Sequence, residues 1–255
     1  MKEICFAEIG GIKVGHAQDL DAATGCTVVI HEEGASAGVD VRGGAPGTRE
    51  TDLLRPGNLV EKVHAVFLAG GSAFGLDAAA GIMEHLEERK VGFDVQVTRV
   101  PIVCGAVLFD LLLGDHRVRP DREMGRRACE EASMQERRQG NVGAGAGASV
   151  GKIFGMERAM KSGLGMYALQ TGDLKIGAVV AVNCLGDVVD PLTGERLAGP
   201  LDADGKTRLN TEEIMVESHL RTGNLFAGNT TIGIIATNAD LGKSQATKAA
   251  SMAQD

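Results

Sequence analysis

The chain has no tryptophan and one tyrosine, Tyr167. That scarcity makes stacking on nucleic-acid bases or sugar rings a poor mode of binding. Its five cysteines, Cys5, Cys26, Cys104, Cys129 and Cys184, are odd in number, widely spaced and never in a CxxC pair. They argue against a disulfide framework and for a reducing, cytoplasmic setting. The opening residues, Met1 to Phe6, carry no signal-peptide hydrophobic region. The longest apolar stretch, around Val100 to Leu113, is broken by Pro101, Gly105 and Asp110, too short and interrupted to span a bilayer. Charge of the positive sign is also short. Asp and Glu number 34 against 26 Lys and Arg, and no basic run resembles a nucleic-acid footprint. His16, His31, His64, His85, His116 and His219 show no HxH, HxxxH or HExxH spacing, so neither a metal nor a cofactor is expected.

Glycine, by contrast, is abundant. Its 36 positions in 255 are about twice the usual share of roughly 7 %, without a collagen-like period. Set between apolar segments, they imply tight turns and close backbone approaches inside one folded domain. Ile12–Val14, Cys26–Ile30, Gly38–Arg42 and Val63–Leu68 read as strands, and Phe74–Lys90 as a helix with a stripe of Leu76, Ala79, Ala80, Met83 and Leu86. Asp121–Arg138 reads as a second, charged helix behind Pro120. Strands are expected at Gly165–Gln170 and Leu174–Asn183 around a turn, then a polar connector over Asp202–Asn224 and a last helix from near Leu241. The order is mixed α/β.

Asn229-Thr230-Thr231 stands just before the apolar run Ile232-Gly233-Ile234-Ile235-Ala236-Thr237, which reads as a strand buried on both faces. Two hydroxyls there suit a turn and a strand entry. They also suit a chain that cuts itself: the Thr230 hydroxyl would attack the Asn229 carbonyl, and the α-amine so released would serve that hydroxyl as base. An α-amine titrates at about 7.7–8.0, so no distant histidine is needed.

Other motifs fall short. Thr237 to Ser244 imitates a phosphate-binding loop but has Thr237 where the first glycine belongs. Gly70 to Gly75 resembles a dinucleotide loop with Ser72 at a glycine position, and a nucleophile elbow with Phe74 at another. Ser72 reads as a helix N-cap rather than a nucleophile. The glycine run Gly143–Gly147 could cradle an anion, but close packing of backbone is the favoured reading.

Read in order, several segments carry a resemblance. They are Val14-Gly15-His16, the run from Gly38 to Thr51 (Gly-Val-Asp-Val-Arg-Gly-Gly-Ala-Pro-Gly-Thr-Arg-Glu-Thr), and Leu68 to Leu76. Gly140-Asn141-Val142-Gly143-Ala144-Gly145, Lys161-Ser162-Gly163-Leu164-Gly165, Asn183 after an apolar strand, and Asn229-Thr230-Thr231-Ile232 complete the set. From about Gly10 to Ala239 the chain resembles the DmpA-type aminopeptidases, which include the β-peptidyl aminopeptidases. The resemblance implies a four-layer αββα sandwich and autocatalytic cleavage between Asn229 and Thr230. That would divide the single domain into residues 1–229 and 230–255, the second being the start of a small subunit cut short in this chain. It implies Thr230 as nucleophile and, through its α-amine, as base, with Asn183 stabilising the oxyanion. Ser72, Gly143, Gly145 and Lys161 are candidate substrate-binding residues, and Lys161 is a candidate to orient Thr230. Small peptide or amide substrates are expected, with a homotetramer of processed heterodimers. Two alternatives within the fold are an acyltransferase of the ornithine-acetyltransferase type and a pantetheine-amide hydrolase. A non-catalytic member of the fold is a third.

Overall fold

In the computed structural model, which describes residues 1–218 and 228–255, two β-sheets face each other across one apolar layer. The first has five strands in the order Ile12–Asp19, Thr24–Ala35, Val63–Ala69, Val103–Val107 and Thr48–Arg49. All neighbours are antiparallel except the central pair, Val63–Ala69 and Val103–Val107. The second has four antiparallel strands, in the order Lys2–Ile4, Leu164–Thr171, Leu174–Asn183 and Thr230–Thr237.

The sequence of Val63–Ala69 explains its place. Ala65, Phe67 and Ala69 pack to one side against two helices, α1 (Ala78–Glu88) and α2 (Arg122–Glu130), while Leu68 points to the second sheet. A strand covered on both faces has no reason to alternate apolar and polar residues. The helices cross closely because Gly81 and Gly125 stand at the contact, where a Cβ would collide with the carbonyls of Arg122 and Ala78. Helices, five-stranded sheet and four-stranded sheet stack in that order, an α/β layered sandwich that supplies three layers of the expected four-layer αββα arrangement.

Several boundaries differ from the sequence reading. The first helix begins as a 3₁₀ segment, Ser72–Asp77, before α1. The second is capped by Asp121, whose Oδ1 accepts from Met124 N at 2.9 Å, and ends at Glu130 rather than Arg138. There the chain turns so that Ser133 and Val14 exchange backbone hydrogen bonds. Gly38–Arg42 is not a strand; the backbone passes so tightly against the C-terminal helix α4 (Lys243–Met252) that a Cβ on Gly38 would strike Thr247. The connector contains a short helix, α3 (Thr211–Glu217), capped by Asn210. Its 219–224 end, with His219, lies outside the described residues. The Thr230–Thr237 strand is not buried on both faces. It lies at the edge of its sheet, with Ile232 and Ile234 inward and Thr231, Gly233 and Ile235 exposed. No helix among the described residues is long and apolar enough to cross a membrane.

Candidate active site

The register of the second sheet sets Asn183 directly opposite Thr230. Side chains alternate along a strand, so Thr230 shares the inward face with Ile232 and Ile234, while Thr231 points outward. Residues paired across an antiparallel ladder stand close enough for their side chains to interact. Of the two adjacent hydroxyls, the fold therefore puts Thr230, not Thr231, on the face that carries Asn183.

Asn183 is fully buried, and its carboxamide is engaged on both ends. Its Oδ1 accepts from Ser149 N at 3.0 Å, Lys152 Nζ at 3.0 Å and Ser149 Oγ at 3.4 Å. Its Nδ2 donates to Phe109 O at 2.8 Å and Gly228 O at 3.1 Å. Lys152 Nζ also donates to Asn183 O at 3.0 Å and Gly228 O at 3.1 Å. Two donors thus converge on one carbonyl, one residue before the predicted scissile bond. Burial draws the Lys152 ammonium down to about 8, with the neighbouring Cys184 pulling weakly the other way.

Beside this cluster lies a pocket of about 210 Å³, bordered by Phe109, Asp110, Leu113, Lys152, Met156 and Asn229 among others. Asp110 is buried: its Oδ1 accepts from Gly71 N at 2.7 Å and its Oδ2 from Thr24 Oγ1 at 2.8 Å. Burial raises its pKa against those hydrogen bonds.

Lys152 escaped the sequence reading, which singled out Lys161. The available signal was a lysine isolated in the apolar, glycine-rich stretch from Ala144 to Ile153. Lys161 sends its ammonium onto the carbonyls of Gly145, Ala148 and Ser162, each at 2.9 Å. Ser72, Gly143 and Gly145 are not among the residues bordering the pocket. Ser72 N–H donates to Leu108 O at 2.9 Å, and the cap position ahead of its 3₁₀ segment falls to Gly71. Gly143, at φ +50°, packs under Thr27 and His16, and Gly145 against the backbone of Leu164. These glycines are close backbone approaches. The phosphate-loop lookalike is structural too, since Lys243 Nζ donates to Leu53 O, Asn58 O and Val60 O at 2.8–3.0 Å. Among the described residues no three His, Cys, Asp or Glu side chains are grouped to hold a metal ion.

The model of peptidase family S58 matches residues 5–255. This chain belongs to that family. An uncharacterized aminopeptidase of Mycobacterium leprae is 43 % identical over 268 residues, covering 98 % of this chain and 72 % of that one. A 6-aminohexanoate-oligomer endohydrolase of Paenarthrobacter ureafaciens is 35 % identical over 244 residues, covering 93 % of this chain and 64 % of that one. Among solved structures, the L-aminopeptidase D-Ala-esterase/amidase of Ochrobactrum anthropi superposes with a TM-score of 0.69 at 18 % identity. It covers 98 % of this chain and 67 % of its own, and is described as a variant of the Ntn-hydrolase fold. A Burkholderia β-aminopeptidase gives 0.62 at 19 % identity over 96 % of this S58 chain and 64 % of its own. At such identities the likeness speaks for the fold. The family match makes the chain a peptidase-type hydrolase.

Proposed function

We propose that this S58 hydrolase cuts its own chain between Asn229 and Thr230 and then hydrolyses small amides bearing a free amino group. The observation that carries the reading is the pairing of Thr230 with Asn183, whose amide is held in turn by Lys152 and Ser149.

Before the cut no α-amine exists, so the first proton transfer needs another base. Lys152 is the basic side chain bordering the pocket, and its lowered pKa gives it a usable neutral fraction near pH 7. Thr230 Oγ attacks the Asn229 carbonyl carbon, its proton passing to Lys152. The C–N bond breaks as Thr230 N takes a proton, leaving an ester. Water hydrolyses the ester to a carboxylate on Asn229 and a free hydroxyl and amine on Thr230.

The cut also vacates donors. While the chain is intact, Gly228 O holds one N–H of Asn183 and one of Lys152. Once residues ending at Asn229 withdraw, both can serve the oxyanion of an incoming amide. One such donor is worth on the order of 3–4 kcal/mol of barrier. In turnover the Thr230 α-amine takes the hydroxyl proton and delivers it to the leaving amine. Asp110, the carboxylate of the pocket, is the candidate partner for the free amino group of the substrate.

Intact mass is the direct test. The wild-type chain separates into pieces ending at Asn229 and starting at Thr230, and Thr230→Ala stays whole and turns over neither a β-alanyl anilide nor a 6-aminohexanoate oligomer. A Thr230→Ala variant that still splits at this bond, or still hydrolyses either amide, removes Thr230 from the role.

A further inference from the structure

Lys161 has no place in the mechanism above, yet it is linked to Asn183 through a single peptide plane. The two-stranded ladder of Met160–Lys161 with Ser149–Val150 pairs Lys161 with Ser149. Lys161 Nζ donates to Ala148 O at 2.9 Å, and the N–H of that same peptide unit, on Ser149, donates to Asn183 Oδ1 at 3.0 Å. The far end of the Asn183 carboxamide, Nδ2, is the donor that faces Gly228 O. A positive charge therefore stands at one end of an unbroken chain of dipoles: ammonium, peptide, carboxamide, oxyanion seat. Each link polarises the next, and in a poorly solvated interior such chains strengthen one another by about 10–30 % per bond.

We propose that Lys161 is a positioning residue that tunes the oxyanion donor, polarising the Ala148–Ser149 peptide and, through it, the Asn183 side chain. The proposal rests on Asn183 serving Thr230 as described above. Three features support a tuning role over a purely structural one. Lys161 is exposed as a residue and its ammonium bonds backbone carbonyls, so its removal opens no core cavity. The Ala148 carbonyl also accepts from Ser162 N at 2.9 Å, so the peptide keeps its orientation without Lys161. Lys161 further holds the carbonyls of Gly145 and Ser162; burial lowers its ammonium to about 8, with Asp110 acting the other way, which leaves it mostly protonated at pH 7. The turn leading into Ser149 and Lys152 thus has a cation fixed on it.

The test compares Lys161→Met, Lys161→Arg and Lys161→Ala with the wild-type chain in two readouts. In ¹⁵N-labelled protein, the Ser149 amide and Asn183 side-chain amide resonances move upfield in Lys161→Met. In amide hydrolysis, kcat falls roughly tenfold while KM stays within about twofold, a fraction of the 10²–10³ lost with a whole donor. Lys161→Arg retains part of the rate, and millimolar propylamine restores part of it to Lys161→Ala. Unmoved resonances overturn the proposal, as does a moved resonance with wild-type kcat, or a rate loss that accompanies unfolding and resists both the arginine and the amine. The resonances do not depend on Thr230. If the wild-type chain stays whole and inactive while they shift, the Thr230 reading falls and the link from Lys161 to Asn183 stands.

Discussion

The two sheets share one apolar layer but differ on their outer sides. Behind the five-stranded sheet, Phe67, Ile82 and Leu86 are sealed between strand and helix. The outer face of the four-stranded sheet leaves Tyr167, Ile176 and Ile235 between 42 and 55 % exposed. The proposed chemistry lies on the second sheet, at the end where Asn183 and Thr230 pair. Its supporting groups come from segments outside that sheet: Phe109 follows the last strand of the central pair, and Ser149 and Lys152 follow the glycine run. The contrast teaches a division of labour. One sheet is sealed on both faces, and the other carries the strand that begins at the proposed cut.

Substitutions on each side sharpen that division. The largest effect expected is for Asn183→Ala, which removes the donor, takes the side-chain acceptor from Ser149 N–H and leaves Lys152 Nζ two of its three acceptors. Turnover should fall on the order of 10²–10³-fold in single-turnover kinetics. Ile82→Ala, in the sealed layer, is expected to lower stability by about 3 kcal/mol in urea unfolding while leaving kcat of the folded fraction unchanged. A comparable loss of kcat would break the comparison.

The proton inventory gives a smaller, graded effect. Lys152 ionises near 8 in the folded chain because burial disfavours its charge, so the neutral base becomes scarcer as pH falls. Autocleavage should slow about tenfold per unit below about pH 8, read by quenched gel assays, and Lys152→Met should process far more slowly throughout. A rate that rises toward acid would exclude Lys152 as the base. Smallest of all, Ile235→Thr on the exposed face should change stability by no more than about 0.5 kcal/mol in the same unfolding assay.

Much of the fold was legible because the signals were local. The alternation and length of Leu174–Asn183, the turn before it and the apolar run after Thr231 need no tertiary knowledge. Asn183 and Thr230 could be named from the ordered motifs, but only strand register shows that they face each other. Lys152 left only a faint local signal, for the opposite reason. Its contacts are three acceptors belonging to Asn183 and Gly228, residues distant in sequence. Lys161 was conspicuous in its motif, yet what it touches is backbone, which carries no residue-type signal. The length of the second helix and the loss of the Gly38–Arg42 strand were decided by partners elsewhere, Val14 and Thr247.

The eight-residue register between Leu174–Asn183 and Thr230–Thr237 bears on what cutting the chain would do. A fresh terminus normally frays, and a nucleophile placed on one would spend most of its time out of line. Here the first residue after the proposed cut is already in a ladder, and Lys243, at the start of α4, ties the 230–255 segment to the 53–60 loop. Severing the Asn229–Thr230 bond would release the donor side and leave the hydroxyl where it stood. The entropy of aligning the attacking atom would have been spent during folding, so each substrate would meet a nucleophile that behaves as part of the sheet rather than as a chain end.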